Sequence, residues 1–190
     1  MFAKLYEKSI RWAGHRHAPW GLAGLSFAES SFFPIPPDVM LAPMVLAKRQ
    51  RAWWFAFITT VASVLGGVFG YAIGMFSFEM IEGWLQGNQR YWDGYMLAQQ
   101  WFDEWGVWAV LLAGFSPIPY KVFTISAGVI SMSFLPFVIA SLVGRGARFF
   151  LVAGLIVLGG DRMEGTIRRH IDLVGWGMVL LVVAAYFALH

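Results

Sequence analysis

Long apolar stretches dominate this chain, and proline interrupts them at two places. Residues 21–47 are mostly apolar but hold Pro34, Pro36 and Pro37 close together, with Pro43 further on. Proline removes a backbone donor and pushes the preceding residue out of helical geometry, so no straight helix runs through this segment. The pattern predicts a re-entrant helical hairpin over 21–47 that breaks at Pro34–Pro37 and leaves on the side it entered. Non-helical backbone is tolerated at membrane depth only when it is buried in protein or lines a wet cavity. Residues 53–78 follow as an apolar run long enough to cross, at roughly 20 residues per span. Residues 79–104 turn polar and aromatic and form a connection. A second Pro-broken segment over 105–130, around Pro117-Ile118-Pro119, predicts a second re-entrant hairpin, and 134–158 a second span. Residues 173–189 predict a last, short span. Residues 1–20 scatter Phe2, Leu5, Ile10 and Trp12 among basic positions, as an interfacial amphipathic helix does.

The second half repeats the first in its residues as well as its pattern. Phe32-Phe33-Pro34-Ile35-Pro36-Pro37-Asp38-Val39 returns as Phe115-Ser116-Pro117-Ile118-Pro119-Tyr120-Lys121-Val122. Val61-Ala62-Ser63-Val64-Leu65-Gly66 returns as Ile139-Ala140-Ser141-Leu142-Val143-Gly144, with one loop longer in the first half. Paired, interrupted apolar segments in corresponding positions point to a transporter-type binding site. Asp38 corresponds to Lys121, and a two-fold relation between the breaks would bring them together as an ion pair. Gly66, Gly70 and Gly74 share one helix face suited to close backbone approach, either within the monomer or between subunits of a homo-oligomer.

Composition fixes the class. Of the 190 residues 58% are hydrophobic and 13% charged, against about 25% charge in soluble domains. The chain reads as an all-α integral membrane protein. It is expected to be an inverted repeat of re-entrant hairpin plus transmembrane helix, with a C-terminal transmembrane helix added. No signal peptide is expected in the basic first twenty residues. The absence of cysteine excludes disulfides and thiolate chemistry. No basic stripe resembles a nucleic-acid surface.

Positive charge sets the orientation. With the N-terminus in the cytoplasm, the basic loop 48–51 and the basic loop 161–172 also lie inside. The acidic 79–104 connection lies outside, and the C-terminus is extracytoplasmic. Ten of the fourteen Lys and Arg are then cytoplasmic. The two repeat units then have opposite orientations.

Five ionisable residues remain at membrane depth: Glu29, Asp38, Lys121, Arg145 and Arg148. A charge at the bilayer centre costs about 2.5–3.5 kcal/mol on insertion scales, so such residues mark a pathway for something charged. Lys121, Arg145 and Arg148 suit a phosphate, which Arg can hold bidentately. Pro34, Pro36, Pro117 and Pro119 would expose helix ends beside it. Glu29 and Asp38 suit a proton-coupling role. A charged head in the cavity with an apolar tail in lipid fits a phospholipid or polyprenyl phosphate. Structural ion pairing alone, snorkelling of Arg145 and Arg148, and Glu29 binding of freed backbone groups are the bland alternatives. An enzyme is not expected. There is no metal-ligand spacing, no histidine in sequence near Ser30, Ser31 or Ser126, and no Gly-Lys-Ser/Thr phosphate loop. No metal or other cofactor is implied.

At these residues the chain resembles the DedA family, also called the VTT or SNARE-associated family. The supports are Glu29 ahead of the Pro34/Pro36/Pro37-Asp38 break, the Gly66/Gly70-Tyr71/Gly74 span, and Phe115-Ser116-Pro117 followed by Gly128. The Pro-Ile-Pro-Tyr-Lys form of the second motif is similar to the YqaA-like branch. The resemblance covers roughly residues 20–160. It implies a bacterial inner-membrane protein with two facing re-entrant hairpins that translocates phospholipid or undecaprenyl phosphate, with Glu29 and Asp38 in the place of its proposed proton-coupling acids. The family's second motif carries arginines where this chain has Phe115 (or Gly114) and Tyr120. Lys121, Arg145 and Arg148 are the candidates to restore that charge. The expected function is a lipid flippase or scramblase with membrane lipids as partners. A proton-coupled carrier of a small ion or metabolite, or a non-transporting scaffold, is the alternative.

Overall fold

Pro19 falls in the first turn of a helix, where its missing donor would be unsatisfied anyway, and α1 spans Ala18–Ser31. The computed structural model describes residues 17–33, 35–116 and 119–159. The N-terminal residues through 16, the loop 161–172, the span 173–189, Pro34 and Pro117 lie outside the described residues. Residues 18–20, expected to end the amphipathic segment, belong instead to α1. The proline break follows. Helix α2 then runs Asp38–Ala47, ten residues with Asp38 in its first turn, where a carboxylate suits the positive helix end.

A 3-10 turn at Arg49–Arg51 leads into α3, Ala52–Gln86, of 35 residues. Helix α4 spans Gln89–Phe115 and α5 spans Tyr120–Val129, again ten residues. Helix α6 spans Phe134–Gly159. The polar connection 79–104 is helical except at the Gly87-Asn88 turn, because nothing before Gly87 stops α3. At 1.5 Å per residue α3 is about 52 Å long, against a hydrocarbon core of about 30 Å. Its C-terminal part and the start of α4 therefore form a hairpin beyond the span, joined by the Phe78–Tyr95 ring stack at 4.7 Å. The ten-residue helices are each about 15 Å, half a crossing.

In each half a helix, a proline break, a ten-residue helix and a long helix follow one another. In the first half, Ala18 and Leu22 of α1 share a buried cluster with Met44 and Val45 of α2, so the start of one lies beside the end of the other. In the second half, Gly106 of α4 faces the sulfur of Met132, just past α5. The long helices run antiparallel. Along them Trp53 meets Gly154, Thr60 meets Gly146 and Ser63 meets Arg145. The connection is four residues in each half, 48–51 and 130–133, so the extra residues of the first half are taken up mainly by an earlier start to α3.

Close crossings hold the helices together. A side chain at Gly66 would strike the backbone of Phe27 on α1, and one at Gly74 the backbone of Ile125 on α5. Gly128 returns the contact against the backbone of Tyr71. Gly70 faces Thr124 of α5, so all three glycines of the α3 face are used within the monomer. Helix α5 closes with backbone bonds from Ser131 to Gly128 and from Met132 to Ala127, and Ser131 takes φ 56°. That is a Schellman cap with serine in the left-handed position where glycine is usual.

Arg49–Met80 and Phe134–Gly159 are long and apolar enough to cross a membrane. Their outer faces expose Phe57, Leu65, Phe69, Leu135, Ile139 and Leu155. A continuous apolar band of this kind would drive association in water and is at home in lipid.

Candidate functional site

The five ionisable residues singled out from the sequence fall around the two breaks, but they are divided. Glu29 is in the last turn of α1, Asp38 opens α2, Lys121 is second in α5, and Arg145 and Arg148 lie one turn apart on α6.

Arg145 and Glu29 form the inner pair, with side-chain exposures of 1% and 12%. Arg145 Nε donates to Ser63 Oγ at 2.5 Å, and its Nη2 donates to Glu29 and, at 3.2 Å, to Ser30 Oγ. Ser30 and Ser63 hydroxyls are bonded at 2.6 Å. The guanidinium also lies over two rings, Tyr120 at 4.9 Å and Phe149 at 4.7 Å. Tyr120 is fully buried and its hydroxyl donates to Ser141, one turn before Arg145. Arg145 stands mid-helix and sealed, so it does not snorkel.

Arg148 and Asp38 form the outer pair at 2.5 Å, with exposures of 15% and 26%. Arg148 Nη2 reaches Asp38 Oδ2, while Nη1 reaches the carbonyl of Ser116 at 2.5 Å. The guanidinium fork is therefore split between a carboxylate after the first break and a carbonyl before the second. The other carboxylate oxygen, Asp38 Oδ1, is buried without a hydrogen-bond partner among the described residues. An unmet acceptor of this kind costs about 1–3 kcal/mol, which makes the outer pair the less satisfied of the two.

The expected Asp38–Lys121 pair is not made. Arg148, longer and with two separated donor nitrogens, takes Asp38, and Lys121 Nζ instead donates to the Phe32 carbonyl at 3.3 Å. Phe32 is the C-cap of α1, and Pro36, four residues on, has no N–H to offer it. Lys121 and Arg148 thus cap the carbonyl ends of α1 and α4, where cations are favoured. Pro36 lies between the helices of the first break, and Pro119 is the N-cap of α5. Pro36 shapes the place by leaving the Phe32 carbonyl without its helical donor; no side-chain polar atom comes from either proline.

Ser30, Ser63, Tyr120, Phe149 and the Ser116 carbonyl complete the network and were not singled out as site residues by sequence. Ser63 and Ser141 carried a signal, since they are the polar residue of the repeated Ala-Ser phrase. Tyr120 stood inside the second proline motif. The chemistry available is anion recognition by two cations and exchange of a carboxylate partner.

Comparison with known proteins places the chain in a family. The VTT domain, the DedA family, matches residues 35–158. An uncharacterised protein of Haemophilus influenzae is 49% identical over 191 residues, covering 100% of this chain and 98% of that protein. An uncharacterised protein of Histophilus somni is 45% identical over the same length. Undecaprenyl phosphate transporter A of Staphylococcus aureus is 42% identical over 62 residues, 33% of this chain and 29% of that transporter. No solved structure matches. The chain belongs to the VTT domain family and is a membrane protein.

Proposed function

We propose that this member of the VTT domain family moves a phosphate-bearing lipid, a phospholipid or undecaprenyl phosphate, across the bacterial inner membrane. The observation that carries the reading is the meeting of Arg148, Asp38, Ser116, Lys121 and Phe32, drawn from both proline breaks, in a protein with an apolar exterior. Such a place can take a charged head while the tail stays in lipid. The partial likeness to a relative named as an undecaprenyl phosphate transporter supports the substrate class.

In this reading the halves are an inverted repeat and the two broken segments are re-entrant hairpins. The antiparallel long helices and the ten-residue helices support it. So does the exchange of partners between halves. In the register of the second repeated phrase, Gly70 corresponds to Arg148. Arg148 meets Asp38 on α2, and Gly70 meets Thr124 on α5, one turn beyond the counterpart Lys121. Residues off a two-fold axis meet each other's neighbours in this crosswise manner. The N-terminus is cytoplasmic and the C-terminus extracytoplasmic. Lys121 and Arg148 hold the phosphate, Arg145 holds the helices that carry them, and Glu29 and Asp38 are the acids through which a proton gradient would act. The chain works as a transporter and not as an enzyme.

The test is translocation in liposomes of head-group-labelled phospholipid and of a polyprenyl phosphate, with and without a pH gradient. Wild type is compared with Arg148→Gln and Lys121→Gln. Movement by the wild type that is lost in folded variants supports the reading, and dependence on the gradient separates a coupled transporter from a scramblase. No movement of either lipid overturns it and returns the small-ion carrier or the scaffold.

A further inference from the structure

The two ion pairs differ in a way that assigns them different work. In the inner pair Arg145 is 1% exposed and lies over two rings, and its Glu29 partner also accepts from Ser30 at 3.0 Å. In the outer pair Arg148 gives Asp38 a single N–H, one carboxylate oxygen goes unmet, and Asp38 is 26% exposed. Lys121, also at the breaks, donates to a neutral carbonyl, that of Phe32, at 3.3 Å. The anionic acceptor of Arg148 is thus one short carboxylate that takes a single N–H from it.

We propose that Asp38 is an internal stand-in for the substrate anion. Its carboxylate occupies the seat on Arg148 that a phosphate takes, and the incoming phosphate must displace it. This rests on the transport reading for its biological sense, but the binding claim stands on the geometry alone. A phosphate has more acceptor oxygens than a carboxylate and can engage both terminal nitrogens of Arg148, of which Asp38 takes one. Asp38 remains at the positive end of α2 when displaced, so its charge keeps a favourable place. The device keeps Arg148 from standing unpaired in the empty protein, and makes binding a competition between an internal and an external anion.

The seat belongs to Arg148 and not to Arg145. Glu29 accepts from Arg145 on α6 and from Ser30 on its own helix, and at 12% exposed against 26% for Asp38 it offers no comparable exchange. Removing the Asp38 charge should therefore tighten anion binding, whereas removing the Glu29 charge should not.

The experiment measures equilibrium binding to the purified full chain in detergent of three probes: inorganic phosphate, farnesyl phosphate and farnesol. Wild type is compared with Asp38→Asn, Glu29→Gln and the double variant Asp38→Asn/Arg148→Gln, each checked for folding by its thermal transition. Asp38→Asn is expected to bind farnesyl phosphate about tenfold more tightly, roughly a 1.4 kcal/mol gain. Glu29→Gln should give no gain, and the double variant should lose the gain. Farnesol should be unaffected. Tightening of inorganic phosphate as well identifies a seat for the head alone, and tightening of farnesyl phosphate only identifies a seat that needs the lipid. Unchanged or weakened phosphate binding in folded Asp38→Asn overturns the proposal, as does an equal gain in Glu29→Gln. If liposomes show no transport while Asp38→Asn still tightens binding, the stand-in survives and the transport reading falls. If transport is seen without tightening, the reverse holds.

Discussion

Arg145 on α6 donates to the carboxylate of Glu29 on α1 from a position with 1% of its side chain exposed. The pair joins the two halves of the chain, and Ser63 on α3 accepts from the same guanidinium at 2.5 Å. Three helices thus depend on one charge being neutralised.

Breaking such a pair leaves a buried charge alone, which destabilises by about 3–5 kcal/mol. Arg145→Met and Glu29→Gln are each expected to lower stability by that order, while Glu29→Gln/Arg145→Met together should recover most of the loss. Reversible unfolding in mixed micelles of the two singles and the double gives the coupling. Additive losses would show that the two side chains do not act as a unit.

Backbone proximity gives a second expectation. Gly66 and Gly128 each face a neighbouring helix backbone that cannot yield, whereas Gly24 on α1 has nothing within 4 Å. Gly66→Ala and Gly128→Ala should each destabilise by about 1–3 kcal/mol through forced separation of helices. Gly24→Ala should be neutral or stabilising by up to about 1 kcal/mol from helix propensity. Thermal unfolding in detergent ranks the three, and a Gly66→Ala protein as stable as Gly24→Ala would contradict the crossing.

The cap of α5 predicts a gain. Ser131 holds φ 56°, a conformation that costs a non-glycine residue roughly 1–2 kcal/mol. Ser131→Gly is expected to stabilise by about 0.5–1 kcal/mol after its larger unfolded-state entropy offsets part of the relief. The same unfolding assay checks it. Ser131→Val should move the other way.

Much of this architecture was legible because it rests on periodic apolar length and on proline. The breaks at Pro36 and Pro119 follow from a missing donor, which no tertiary context restores. The glycine face was legible for the same reason, though its partners were not: Gly66 meets α1 and Gly74 meets α5, and the spacing alone left a second subunit as an equal candidate. The charged residues were legible as a set and not as pairs. Correspondence in the repeat suggested Asp38 with Lys121, but correspondence brings residues together only on the symmetry axis. Off it, side-chain reach decides, and the split fork of Arg148 wins Asp38. Tyr120 was the least legible, since a buried tyrosine in an apolar segment looks like packing until the ring is found beneath a guanidinium.

That split fork supplies the last expectation. Arg148 holds Asp38 through one terminal nitrogen and the Ser116 carbonyl through the other, both at 2.5 Å. Lysine would keep the charge but place its donors on a single nitrogen at the end of a flexible stem, so it cannot hold both groups in a fixed plane. Arg148→Lys should therefore keep most of the stability, within about 1–2 kcal/mol of wild type, because the charge still neutralises Asp38 and the pair is partly exposed. Lipid movement should fall more steeply, by tenfold or more, because the guanidinium no longer positions the end of α4 against the start of α2 while it exchanges anions. Measuring unfolding and liposome transport on the same preparation separates the two effects. Full transport by Arg148→Lys would mean that charge alone suffices at this position and that its geometry is incidental.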